Sequence, residues 1–160
     1  MRGARLPIVL ETRTFLRVHM TSCKQDCELL MSSVLPVAER VLAERRTLHP
    51  FGCTLSDDDR IADVGNGALD AEFDRAALLA EFRASFRDGA QRGELKGSAL
   101  VYLAEAKGAV EGPSALVCVE LDHNQNYSIV VSFPYRFTSA GELYIDEPFA
   151  VEGKHEIFEG

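Results

Sequence analysis

The chain has no run approaching the roughly 18 consecutive apolar residues of a membrane-spanning helix, so no membrane partner is expected. Bases are in deficit, with 17 Lys and Arg against 25 Asp and Glu and a net charge of −8. A surface built to neutralise a nucleic-acid backbone needs the opposite balance, and no nucleic-acid partner is expected. Only 4 cysteines are present. The apolar run PIVL is too short for an export signal, and Glu11 and Arg13 interrupt any extension of it. Reduced thiols in a cytoplasmic protein are the expectation.

Specific catalytic signatures are missing too. Ser98 and Ser114 lack the flanking glycines of a nucleophile elbow, and neither Gly89 with Gly93 nor the GKHE at Gly153 makes a phosphate-binding loop. The GNG at Gly65 does not continue into a dinucleotide fingerprint. If Asp57 and Asp59 open a calcium loop, the next ligand falls on Ile61 and the obligatory glycine on Ala62, so SDDDR reads as a hairpin turn. Cys118, Asp122 and His123 hold the types of a thiol triad, but five residues of strand separate Cys118 from His123 by about 16 Å. His19, Cys23 and Cys27 share one helical face, which is the geometry a metal or redox pair would use. The blander reading is two partly buried thiols at a helix start. No catalytic residue, metal ligand or cofactor is assigned.

A length of 160 residues with 46% hydrophobic content suits one domain with one core. Arg2, Arg5, Arg13 and Arg17 make the start basic against the acidic remainder, which sets residues 1–20 apart as an extension, disordered or upstream of the native start, and 21–160 as the domain.

Within that domain Leu30, Val34, Val37, Ala38, Val41 and Leu42 recur at helical spacing, with Pro36 either kinking the helix or opening a regular one. Phe51 to Val64 reads as a β-hairpin turning at Ser56–Asp59. Asp70 or Asp74 caps a second helix whose stripe is Leu78, Leu79, Phe82 and Phe86, with Glu81, Arg83 and Arg87 to water and Gly89 and Gly93 at its end. Strands follow over Leu100–Leu103, Ala115–Leu121 and Tyr127–Phe133, the first two joined through GAVEGP, Gly108–Pro113. Pro134 marks a strand end or an edge, a short strand is expected around Leu143–Ile145, and the tail beyond packs or frays.

The predicted fold class is α+β: an antiparallel sheet of about five strands with helices on one face, in the order α-β-β-α-β-β-β. That order is similar to profilin-like and roadblock-type domains; the likeness implies a non-catalytic, dimer-forming module, some roadblock-type domains being regulators of small GTPases.

Parity fixes the turn in LDHNQNYSIVV. Ala115, Val117, Val119 and Leu121 are apolar on odd positions, as are Ile129, Val131 and Phe133, while Glu120, Ser128 and Ser132 take the other side. Odd must oppose odd, which requires an odd-length loop: Asn124–Asn126 with a left-handed residue at Asn126, or Asp122–Asn126. In the shorter form His123 stands opposite Tyr127 at the wet end of its strand.

The functional expectation is an interaction protein, regulatory or inhibitory, that docks on a protein partner or on itself. An immunity-type protein masking a basic partner is one form of it. The alternative is a small enzyme or ligand binder assembled from dispersed polar residues, with His49, Cys53, His123, Tyr135 and Arg136 as the pool for a binding site. A third possibility is a thiol or metal sensor at Cys23 and Cys27.

Overall fold

The computed structural model describes residues 12–68, 74–105 and 115–158, with side chains from Cys23 onward. The elements run α1 (Thr12–Arg45), β1 (Phe51–Ser56), β2 (Ile61–Val64), α2 (Arg75–Gln91), β3 (Leu95–Glu105), β4 (Ala115–His123), β5 (Tyr127–Phe137), β6 (Leu143–Ile145) and β7 (Phe149–Glu152). All strand pairs are antiparallel, in the sheet order β2-β1-β3-β4-β5-β6, with β7 also on the outer side of β5. This is the α+β class and element order expected, with seven strands among the described residues where about five were expected. Asp70 and the GAVEGP connection, Gly108–Pro113, lie outside the described residues.

Helix α1 is already running at Thr12, so part of the segment set apart as an extension is helical. It continues through Pro36, whose ring removes a hydrogen bond to the carbonyl of Ser32. Both residues are exposed, so water can satisfy that carbonyl. Cys23, Cys27, Leu30, Val34, Ala38 and Val41 form the buried stripe at spacings of three and four. From Cys27 onward they pack on the odd-numbered side chains of the sheet: Cys53, Leu55, Ala99, Val101, Val117, Val119 and Leu121.

Helix α2 takes the other face. Asp74 Oδ1 accepts the Ala77 N–H at 3.3 Å as its N-cap, and Phe86 buries against Leu100 and Ile157, with Phe82 and Tyr102 beside them. The expectation of helices on one face is therefore corrected: each face carries one helix. The physical reason is that β3 alternates apolar residues on both parities, Ala99 and Val101 toward α1, Leu100 and Tyr102 toward α2, so both faces demand a cover. Gly89 lies inside α2, because a side chain there would meet Leu95, and Gly93 in the left-handed region (φ 73°) follows the helix end.

The β4–β5 hairpin has the odd-on-odd register, with Leu121 opposite Ile129 and His123 opposite Tyr127 across the three-residue loop Asn124–Asn126. Asn126 takes the left-handed conformation (φ 63°) that the shorter loop demands.

Strand β5 does not end at Pro134. The Gly153 N–H donates to Ser128 O, and Pro134 O accepts from the Asp146 N–H, so even-numbered residues of β5 turn their backbone groups outward, away from β4. The missing N–H of Pro134 therefore costs the β4 ladder nothing. It falls between the β5 stretch paired with β7 (Ile129–Ser132) and the stretch paired with β6 (Tyr135–Phe137).

Candidate functional site

The residues pooled from sequence do not converge. Cys53 is wholly buried beneath α1, its thiol donating toward Leu30 O at 3.8 Å and pushed up to about 12 by burial. His49 sits half-buried before β1, its backbone N–H donating to Gly67 O at 3.0 Å. Tyr135 pairs with Ala115 while His123 pairs with Tyr127, a separation of about 26 Å along the strands. Arg136 is exposed and lies 4.5 Å over the Tyr144 ring.

His123 is not the wet strand-end residue expected; it is 2% exposed. Helix α1 brings Asp26 over it, with Nε2 2.8 Å from Asp26 Oδ2, while Nδ1 accepts the Gln125 N–H at 3.2 Å. A nitrogen that accepts carries no proton, so the proton sits on Nε2 and is donated to Asp26. Lys96 Nζ lies 3.6 Å from the same carboxylate oxygen and also pairs with Asp59. With both ring nitrogens engaged, the imidazole acts as a bracket tying α1 to the hairpin.

All four thiols are free and buried. Burial pushes Cys27 up to about 12 and raises Cys23 and Cys118 as well, which leaves them protonated and poor nucleophiles at neutral pH. Cys118 contacts Ser132 Oγ at 3.5 Å and faces away from His123 on the unbroken β4, as the strand-length argument required. Among the described residues no group of three His, Cys, Asp or Glu is arranged to hold a metal; the side chain of His19 is outside them.

The polar residues that do converge lie outside that pool. Thr54, Ser98, Asp122 and Ser128 are register partners across β1, β3, β4 and β5, so they form one row on the α2 face, and all four are buried. Beside that row Arg83 reaches in from α2 and clasps Glu120, Nε to Oε1 at 3.2 Å and Nη2 to Oε2, while the Tyr102 hydroxyl donates to Oε2 at 2.9 Å. The fork geometry supplies two charge-assisted bonds. The Arg83 pKa is raised, chiefly by its hydrogen bond to Glu120, and that of Tyr102 is raised by burial.

The C-terminal segment closes over this ground. Gly153 N–H donates to Ser128 O at 3.0 Å, His155 N–H to Ser128 Oγ at 3.2 Å, and Arg87 Nε to Glu156 O at 3.1 Å. Only glycine fits at 153, where a Cβ would stand 2.1 Å from Ser128 Oγ. Between segment, α2 and sheet lies a cavity of about 340 Å³ with Arg83, Tyr102, Glu120, Asp122, Lys154 and Glu156 in its wall. Burial raises the Asp122 carboxyl above its usual range; the hydrogen bond from Ser128 opposes this.

Strand β7 is the outer wall of the site. By register Phe149 and Val151 stand on the α2 face, and they are 50% and 54% exposed. Tyr144 joins them from β6 on the same face at 45%. Asp146, Glu147 and Glu152 fringe the strand, all exposed.

The chain matches no protein-family model, no curated protein and no solved structure. The likeness to profilin-like and roadblock-type domains is accordingly one of element order.

Proposed function

We propose that the chain is a non-catalytic intracellular interaction module that binds a basic protein partner to regulate or inhibit it. The observation that carries this reading is the β6–β7 margin, where Phe149, Val151 and Tyr144, the last beneath the Arg136 guanidinium, expose apolar surface close in sequence to the exposed carboxylates of Asp146, Glu147 and Glu152 on a chain of net charge −8. An acidic rim steers a basic partner, and half-exposed aromatic and aliphatic side chains supply area to bury. The titratable groups inside the fold support it from the other side. Arg83, Glu120 and Tyr102 satisfy one another, both nitrogens of His123 are taken, and the thiols are held protonated.

The test is affinity capture from source-cell lysate, run with the native chain and with a Phe149→Ser/Val151→Ser variant whose fold is checked by circular dichroism. The native chain retains a basic protein that the variant loses and that is released between about 0.1 and 0.5 M salt. Reconstitution with that purified protein completes the test. Identical retained sets from the two chains would sink the reading.

A second reading has one observation in its favour: the partly open cavity beside buried Asp122 is large enough for a small polar ligand. A metabolite bound there would raise the melting temperature of the native chain and not that of Asp122→Ala.

A further inference from the structure

We infer that the partner docks by strand addition: an extended basic segment of another protein pairs with the outer edge of β7. This rests on the interaction-module reading and names its mode.

The ladder with β5 shows which backbone groups are left over. Gly153 N–H bonds to Ser128 O, so the odd residues of this run, Phe149 and Val151 included, turn their backbone inward. Ala150 and Glu152 turn theirs outward, and among the described residues no strand lies beyond β7 in the sheet. Two N–H donors and two carbonyl acceptors thus face outward in alternation, as a docking strand requires.

Side-chain space is present on both faces. Val151 borders the cavity on the α2 face, while Ala150 and Ile129 border an open hollow of about 420 Å³. An added strand places alternate side chains on the two faces, so its apolar residues meet Phe149 and Val151 and its basic ones fall among the acids.

Charge selects the occupant. From Glu142 to Glu156 the chain has five carboxylates, at Glu142, Asp146, Glu147, Glu152 and Glu156, and one lysine, Lys154. A second copy pairing antiparallel would lay the acidic start of one β7 beside the acidic end of the other, and like charges across strands repel. Those carboxylates protect the edge against self-pairing while leaving Phe149 and Val151 open to a strand of opposite charge.

The experiment uses the full chain and a synthetic probe, acetyl-Lys-Val-Arg-Val-Lys-Val-Arg-amide, with a Glu-for-Lys/Arg counterpart. Binding is followed by amide shifts and by intermolecular Overhauser contacts. The basic probe is expected to perturb residues 149–152 and contact Ala150 and Glu152, and the acidic one to leave the spectrum unchanged. Ala150→Pro removes one outward donor and no β5 bond, and weakens the probe about tenfold or more. Retained exchange protection at Phe149 and Val151 verifies that β7 survives the substitution. Glu152→Lys, which leaves the backbone intact, weakens the basic probe by about the same factor.

Shifts that map elsewhere, equal binding of both probes, or an unchanged affinity in Ala150→Pro and Glu152→Lys would overturn the edge assignment. The capture experiment separates the two levels. A partner still retained by Ala150→Pro overturns strand addition and keeps the interaction reading, whereas capture indifferent to Phe149 and Val151 overturns the reading itself.

Discussion

Ile157→Ala should release the C-terminal segment from the α2 face. Ile157 is 3% exposed against Phe86 and Leu100, Phe158 packs on the same cluster, and residues 153–156 add three hydrogen bonds to Ser128 and Arg87. Truncating a buried isoleucine to alanine costs about 2–5 kcal/mol when the surroundings cannot collapse. A segment near the chain end can open by itself, so part of that cost is expressed as local opening. Taking about 2 kcal/mol for the local share, opening becomes about 30-fold more frequent at 1.4 kcal/mol per decade. Native-state amide exchange reads this directly at Gly153 and His155, whose N–H groups bond Ser128. A urea titration reads the global share, and the midpoint falls by less than the full side-chain loss. If exchange at both amides changed less than threefold and the midpoint did not move, the segment would not be anchored by Ile157, and the cavity wall it forms would need another support.

Three further outcomes follow from the same geometry. The folded pKa of Asp122 lies above its unfolded value, so the native state holds the proton more tightly and stability falls as pH rises from the ordinary carboxylate range through the raised value. Asp122→Asn should then melt above the native chain at pH 7, with the gap closing below about pH 4; a gap constant in pH would refute the assignment to burial of charge. At the hairpin, Asn126→Val should cost about 1–2 kcal/mol in urea unfolding, because a β-branched residue resists the left-handed conformation, while Asn126→Gly is neutral or stabilising. Iodoacetamide at pH 8 should leave Cys27 and Cys53 unmodified by mass spectrometry until guanidinium exposes them, since burial holds both thiols near 12. Rapid modification of either in the native chain would contradict its burial.

How much of this was legible in the sequence depended on which face of the sheet was read. The α1 face announces itself, because odd-numbered Val117, Val119 and Leu121 oppose odd-numbered Ile129, Val131 and Phe133, and that parity requires an odd-length loop, which the structure has in its three-residue form with Asn126 left-handed. The α2 face is masked by its chemistry. Parity sets Glu120, Ser128 and Ser132 on the other side, but an isolated strand gives no sign that a helix and a tail will cover that side. Arg83 and Arg87 read as solvated for the same reason, yet one clasps Glu120 and the other Glu156 O. The available signal concerned Glu120: neither paired strand sets a base opposite it, Leu100 and Val130 standing there, so its burial required a cation from another element. The pool from His49 to Arg136 does not converge because it selected residue types without asking which side of the sheet each occupied.

The two faces divide the work of the fold. Under α1 the packing is almost wholly apolar, and His123 with Asp26 is the main polar bracket there. A core of that kind can hold the sheet together by burial alone, which leaves the α2 face free to carry Thr54, Ser98, Asp122 and Ser128 at some cost in stability. The cost is not spread evenly: Glu120 is offset by Arg83 and Tyr102, whereas Asp122 is desolvated with Ser128 as its main compensation. Asp122 is thus a buried carboxyl held above its ordinary range by desolvation, next to a cavity and behind the exposed edge strand β7. Interaction at β7 and ligand binding behind it would therefore share a wall, Val151–Gly153. A strand added at Ala150 and Glu152 would tighten that wall, and slower amide exchange at Gly153 and His155 on binding the basic probe would show the coupling.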